Sequence, residues 1–183
     1  AKPLNWANKT TYSNVVNFYR DLIHLRRNLD GVSLGLTGPN MTSHVVDNTA
    51  KVLAFHRWGA GANDQVMVVL NFSNQILTNY PVGGFPASGP WYVNLNSDWT
   101  TYGSDFQNKG SGLVQVPGSS AQLTLGRYSV QILSRQALPT LDADADGLLN
   151  GWEQSYFGNP TSAVATADND LDGMNNLQEQ TAD

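Results

Sequence analysis

No cysteine occurs in the 183 residues, which removes a disulfide framework, a thiolate metal site and a catalytic thiol together. Glutamate is almost missing as well: the chain has only Glu153 and Glu179. Residues 136–183 contain no Lys, Arg or His against nine acids, a charge of −9, whereas residues 1–135 hold all ten Lys and Arg against six Asp, or +4. The overall −5 therefore belongs to the tail, and nucleic-acid binding, which wants a basic patch, is excluded. No apolar run approaches the roughly 18 residues that would span a membrane, and no signal peptide is legible. There is no initiator Met, and the chain stops at Asp183; it is expected to be a piece of something longer and to be monomeric.

What is there is a repeated acidic grammar. Asp142, Asp144, Asp146, Gly147, Asn150 and Glu153 recur at the same offsets as Asp168, Asp170, Asp172, Gly173, Asn176 and Glu179. Calcium takes about six to eight oxygens, and a twelve-residue loop supplies them from positions 1, 3 and 5, a backbone carbonyl at 7, position 9 often through water, and a bidentate Glu at 12, with Gly at 6 for the turn. The carbonyls at 7 fall on Leu148 and Met174. A merely solvated acidic surface leaves the matched Gly and Glu positions unexplained, so two calcium ions are expected. Pro139 leaves no room for a helix entering the first loop, while Gly151 to Phe157 can form a short exiting one ended by Gly158. Trp152 and Tyr156, four apart, would share a face and pack back on the module. The pair resembles calcium repeats of dockerin or thrombospondin type more than a calmodulin-like sensor. Such low-affinity sites suit calcium near millimolar, hence an expected secreted or periplasmic location.

Upstream, Val15, Phe18, Tyr19, Leu22, Ile23, Leu25 and Leu29 recur at threes and fours, predicting an amphipathic helix over 11–29 with a Thr10 or Thr11 cap and Gly31 as its stop. From Val45 to Leu133 the period becomes two. Strands are predicted over 51–58, 65–72 (buried on both faces), 91–95, 113–116, 123–125 and 128–133, the last with Tyr128, Val130 and Ile132 facing one way. Frequent Gly, Ser and Asn turns between short strands imply a mainly β fold, an antiparallel Greek-key β-sandwich. The expected organisation is an N-terminal helical segment over 1–30, the sandwich over 31–136 and the tandem calcium-loop module over 137–183.

The run Phe18-Tyr19-Arg20-Asp21-Leu22-Ile23-His24-Leu25-Arg26-Arg27, followed by Val52-Leu53-Ala54-Phe55-His56-Arg57, Val68-Val69-Leu70-Asn71-Phe72-Ser73, Leu95-Asn96-Ser97-Asp98 and Tyr128-Ser129-Val130-Gln131-Ile132-Leu133, resembles the end of an alpha-amylase superfamily enzyme, nearest to glycogen branching enzymes. The resemblance covers residues 12–135. It implies that the helix is the last of a (β/α)₈ barrel, that the strands form the all-β domain after it, and that the catalytic barrel of the same polypeptide is the partner. One departure is Gly126-Arg127, where relatives often carry prolines. The parent is thereby implied to hydrolyse or rearrange α-glucans, but this chain is not expected to be the catalyst. A barrel needs about 250 residues, and glycoside cleavage needs two carboxylates flanking the bond, one of them an acid of raised pKa. Both glutamates are committed to calcium, and Asp21, Asp30, Asp47, Asp64, Asp98 and Asp105 are scattered, so no catalytic residue is assigned.

Three roles follow from these residues. The first is a non-catalytic accessory domain with a calcium-stabilised tail. The second is an α-glucan-binding module in which Trp58, Trp91, Trp99 and Tyr102 stack on glucose, set against the possibility that Trp58 and Trp91 are core and Trp99 packs on the sandwich edge. The third is a calcium-dependent docking or adhesion module.

Overall fold

A computed structural model describes residues 5–61, 64–138, 146–148, 150–159 and 161–182. The chain divides into two compact units, Ala1–Asn28 with Val32–Ala137, and Leu29–Gly31 with Leu138–Asp183.

In the first unit a short helix α1 (Ala7–Thr11) precedes α2 (Ser13–Arg27). Neither helix end follows the sequence expectation. Thr11 lies inside α1, with its hydroxyl donating to the Ala7 carbonyl at 3.2 Å, and the residue before α2 is Tyr12, which makes no side-chain cap. The helix stops at Asn28, not Gly31, because Asn28 turns left-handed (φ 56°) and its N–H returns to the carbonyls of His24 and Leu25. Asparagine tolerates that conformation better than other side-chain-bearing residues. Ser33 completes the end: its hydroxyl donates to the Leu25 carbonyl at 2.7 Å, satisfying a group the helix leaves open.

Eight strands follow: β1 (Asn40–Asp47), β2 (Val52–Trp58), β3 (Val66–Asn71), β4 (Leu77–Gly83), β5 (Gly89–Asn96), β6 (Leu113–Val116), β7 (Ser120–Leu125) and β8 (Val130–Ser134). They form two antiparallel sheets, ordered β1-β2-β3-β8-β5-β6 and β4-β7. Side chains from both sheets, including Val69, Trp91 and Leu133 from one and Val82, Leu123 and Leu125 from the other, share one core. Of the expected Greek-key sandwich, the structure shows two antiparallel sheets over a common core, flanked by short helices. β3 has neighbours on both sides and is buried along nearly its whole length, as its apolar run implied. The extra residue between Ser43 and Val45 makes a bulge in the β1–β2 register at His44. Its imidazole packs against Gly84 so closely that a Cβ there would overlap the ring and stacks toward His56, which in turn stacks on Trp58 at 4.3 Å.

Three strand expectations are corrected. β4 escaped the periodicity because it is polar and contains Pro81, which is tolerated where a sheet has only two strands and many backbone groups need no partner. Phe72 is past the end of β3 and exposed. Tyr128 does not begin β8: it sits in a turn at φ 46°, largely exposed, and its N–H donates to the Ser73 carbonyl.

Helix α2 is fastened to the sheet by residues distant in sequence. Phe18 meets Tyr102 edge to face at 5.1 Å, the Tyr102 hydroxyl donates to Asp21 at 2.6 Å, and Asn14 donates to the Tyr102 carbonyl at 2.9 Å. Burial, then the bond to Asp21 and its charge, push the Tyr102 phenol above its ordinary pKa. The opposite face of α2 is uncovered, with Val15, Tyr19 and Ile23 about half or more exposed.

The second unit contains α3 (Asn150–Phe157) and α4 (Asn176–Ala182). Its small core joins Leu148, Ala163 and Ala165 with the partly buried Trp152 and Phe157. Gly158, at φ 72°, ends α3 as expected. No helix among the described residues is long and apolar enough to cross a membrane.

Candidate metal centre

The second acidic loop lies wholly within the described residues. One carboxylate oxygen from each of Asp168, Asp170 and Asp172 comes within 4.8 Å of the others, a group able to hold a metal ion. The chain winds around them through its own N–H groups. Asp168 accepts from Leu171 at 2.8 Å and from Gly173 at 3.0 Å, Asp170 from Asp172 at 3.2 Å, and Asp172 from Met174 at 2.8 Å. Leu171 (φ 64°) and Gly173 (φ 95°) make the left-handed bends that bring alternate carboxylates inward. Glycine is free to do so; at Leu171 the conformation is strained, and the side chain is left in solvent. No helix enters the loop from residues 161–167, and α4 leaves it at Asn176.

Asn176 and Glu179 close the site. Asn176 is fully buried, with its N–H on the Ala167 carbonyl at 2.8 Å and its Nδ2 on the Val164 carbonyl at 2.8 Å. Its Oδ1 has no hydrogen-bond partner. Asp170, Asn176 and Glu179 line one cleft of about 500 Å³ together with Trp152 and Tyr156. Burial, and after it the charges of Asp170, Asp172 and Asp168, push the Glu179 carboxyl above its ordinary value. Three convergent carboxylates, with Glu179 lining the cleft beside Asp170 and an amide oxygen without a donor, are a donor set that fits a hard divalent cation, which would relieve both the repulsion and the orphaned oxygen.

That shift has a checkable sign. Glu179 holds its proton more tightly in the fold than in the unfolded chain. In chelator, its contribution to stability is therefore complete below its ordinary 4.5 and is lost as the pH rises through the raised value. The metal-free second unit should tolerate acid of about pH 4 better than neutrality in circular dichroism melts, and a saturating divalent cation should invert the order.

For the first loop, Asp142 and Asp144 lie outside the described residues, and so does the side chain of Asn150. Asp146 and Gly147 repeat the geometry of their counterparts in the second loop. Asp146 accepts from the Leu148 N–H at 2.8 Å, as Asp172 does from Met174, and Gly147 bends at φ 97° beside 95° for Gly173. Glu153 is fully buried and accepts from the Ala163 N–H at 3.0 Å. Asp146 also accepts from Ala165 at 3.1 Å. These contacts to residues 163–165 are a part of the site that the sequence did not reveal: backbone amides carry no residue signature. Of the two aromatic residues expected to share a face, Trp152 packs inward, but Tyr156 is 61% exposed.

The aromatic residues considered for sugar stacking are otherwise employed. Trp91 is fully buried in the core and Tyr102 is 6% exposed, Trp99 packs partly buried on the core, and Trp58 is half-buried with one face stacked on His56. A sugar ring needs an open aromatic face.

The chain matches the family model of the alpha amylase C-terminal all-beta domain over residues 43–136. It is 28% identical over 139 residues to the 1,4-alpha-glucan branching enzyme of Jannaschia sp., covering 71% of this chain and 20% of that protein. With the branching enzyme of Rhodospirillum rubrum it is 33% identical over 101 residues, covering 55% and 13%. The chain thus spans a fifth or less of the length of these relatives. Among solved structures, an isomaltulose synthase from Erwinia rhapontici aligns at 22% identity and a TM-score of 0.45, covering 71% of this chain and 19% of its own. An alpha-amylase from H. orenii aligns at 22% identity and a TM-score of 0.42, covering 72% and 22%.

Proposed function

The chain belongs to the family of alpha-amylase C-terminal all-β domains, and we propose that it is the closing domain of a larger α-glucan-acting enzyme, followed by a module that binds two calcium ions. It corresponds to the non-catalytic C-terminal domain, and the catalytic barrel is not part of it. The observation that carries the accessory role is the uncovered apolar face of α2. Beside it, Val15, Phe18, Phe72, Phe106 and Tyr128 line a groove of about 390 Å³. Most polar groups in that groove, the Arg127 guanidinium and the Tyr128 hydroxyl aside, are spent on the fold. The side chain of Asn71 bonds Gln75, Gly126 and Ser73, Asp98 accepts from Gln107 and Lys109, and Ser129 donates to Gly126. What is left suits apolar side chains of a packed neighbour better than a sugar, which needs polar partners for its hydroxyls. The preceding barrel of the same polypeptide is the proposed occupant.

The convergence of Asp168, Asp170 and Asp172 supports the calcium module. Asp168, Asp170, Asp172, the Met174 carbonyl and Glu179 would hold one ion, with Asn176 at the ninth position. Asp142, Asp144, Asp146, the Leu148 carbonyl, Asn150 and Glu153 would hold the other. The ion supplies positive charge that these residues otherwise lack, and its role is to stabilise the fold. A secreted or periplasmic setting, where calcium is near millimolar, goes with this proposal.

Incubated alone with amylose, the chain should leave the iodine absorbance unchanged and release no reducing ends. Turnover by the purified chain would sink the accessory role.

A further inference from the structure

We propose that the cleft beside the second acidic loop is a saccharide site, in which Tyr156 and Trp152 stack on a pyranose ring while Asp170, Glu179 and Asn169 take its hydroxyls. The inference goes beyond the calcium proposal and concerns the part of the cleft that the aspartate cluster does not reach.

The stacking wall comes from α3. Trp152 and Tyr156, four residues apart, fall on one face of that helix. Their ring centroids lie 5.0 Å apart at an interplanar angle of 37°, and Phe157 continues the wall at 5.6 Å from Trp152. Trp152 and Phe157 pack on the small core of the unit, which holds the wall in place, whereas Tyr156 is exposed. Contiguous rings open to solvent on one side mark a surface that something else covers.

The cleft has a volume of about 500 Å³, inside the range of about 300–1,000 Å³ usual for small-molecule sites. Of the three clustered aspartates only Asp170 lines it; Asp168 and Asp172 do not. A cation held by the cluster would therefore sit at the margin of the cleft and leave the aromatic wall uncovered. Asp170 and Glu179 share the cleft with the rings, and a carboxylate offers about four lone-pair positions, so one that holds a cation still accepts from hydroxyls. Asn169 adds an amide able to donate. The ninth position of the calcium spacing is often filled through a water. A sugar hydroxyl in that place would donate to the Asn176 Oδ1, which is fully buried and has no hydrogen-bond partner. Rings on one side and acceptors with an amide on the other match the apolar face and the hydroxyl edge of a pyranose. An alkylammonium ion would also meet rings and carboxylates, but a divalent cation on those carboxylates removes its attraction and keeps the hydroxyl bonds.

The test is a saturation-transfer NMR titration of the full chain in calcium, with maltotriose and separately with cellotriose, and with butylammonium chloride as the amine probe. A response to either sugar is expected. Tyr156→Ala should weaken it about tenfold, and Tyr156→Phe, which keeps the ring, should stay within about twofold. Asn169→Ala, at an exposed position outside the aromatic wall, should weaken it several-fold. Calcium uptake is read by calorimetry on the same samples. Uptake without a response to either sugar up to about 10 mM, sugar binding that Tyr156→Ala and Asn169→Ala leave unchanged, or a response to butylammonium in place of the sugars would each overturn the saccharide site and leave the calcium proposal standing. A sugar response that follows these variants in a chain that takes up no calcium would do the reverse.

Discussion

A chelator should melt the second unit and leave the first standing. The described apolar core of the second unit is small, Leu148, Ala163 and Ala165 with Trp152 and Phe157 packed on it, and around it the segment carries acids with no base. Such a unit has little burial with which to offset its chain entropy. With a dissociation constant of roughly 10 μM and calcium near 1 mM, each filled site adds about 2.7 kcal/mol by mass action. On a unit this short, one such contribution should move the midpoint by more than about 10 °C. Differential scanning calorimetry with and without EDTA should show one transition shifting with calcium and another indifferent to it. A single transition that moves as a whole would count against independent units.

Trp91→Ala should produce the mirror image. Trp91 is fully buried at the centre of the first unit's core, meets Phe85 edge to face at 5.2 Å, and donates its indole N–H to the Ala87 carbonyl at 2.9 Å. The Arg135 guanidinium lies over its ring at 5.7 Å. Truncation leaves a cavity among both sheets and frees a part-buried carbonyl, a combination that costs about 3–5 kcal/mol. Urea unfolding of the first unit should lose that much, while the calcium-dependent transition keeps its midpoint. A loss below about 1 kcal/mol would mean that the sheets do not close over Trp91 as described.

The cluster of Asp168, Asp170 and Asp172 was legible because it is local, its carboxylates standing at alternate positions of one short segment, and the hydrogen bonds of Asp146 and Asp172 repeat at the sequence offset. The buried strand β3 was legible for a similar reason, an apolar run that can only be interior. What escaped depends on long-range partners. Tyr102 read as an exposed aromatic in a polar loop, yet its hydroxyl meets Asp21, 81 residues away, and that contact buries it. β4 was hidden by Pro81, whose cost vanishes in a two-stranded sheet. Asn28 ended α2 before Gly31 because a left-handed Asn is a choice between neighbouring candidates that periodicity does not rank. The bonds from Ala163 to Glu153 and from Ala165 to Asp146 are donated by backbone groups, which leave no trace in composition.

The most direct measurement on the metal centre is terbium luminescence, with terbium standing in for calcium. Trp152 and Tyr156 line the same cleft as Asp170 and Glu179, so exciting the indole should give sensitised emission that calcium titrates away. Trp152→Phe should remove most of that emission, and Asp170→Asn with Glu179→Gln should abolish binding at the second loop. Emission that never develops, or a terbium stoichiometry that stays unchanged when those two carboxylates are gone, would contradict a cation held between Asp168 and Glu179.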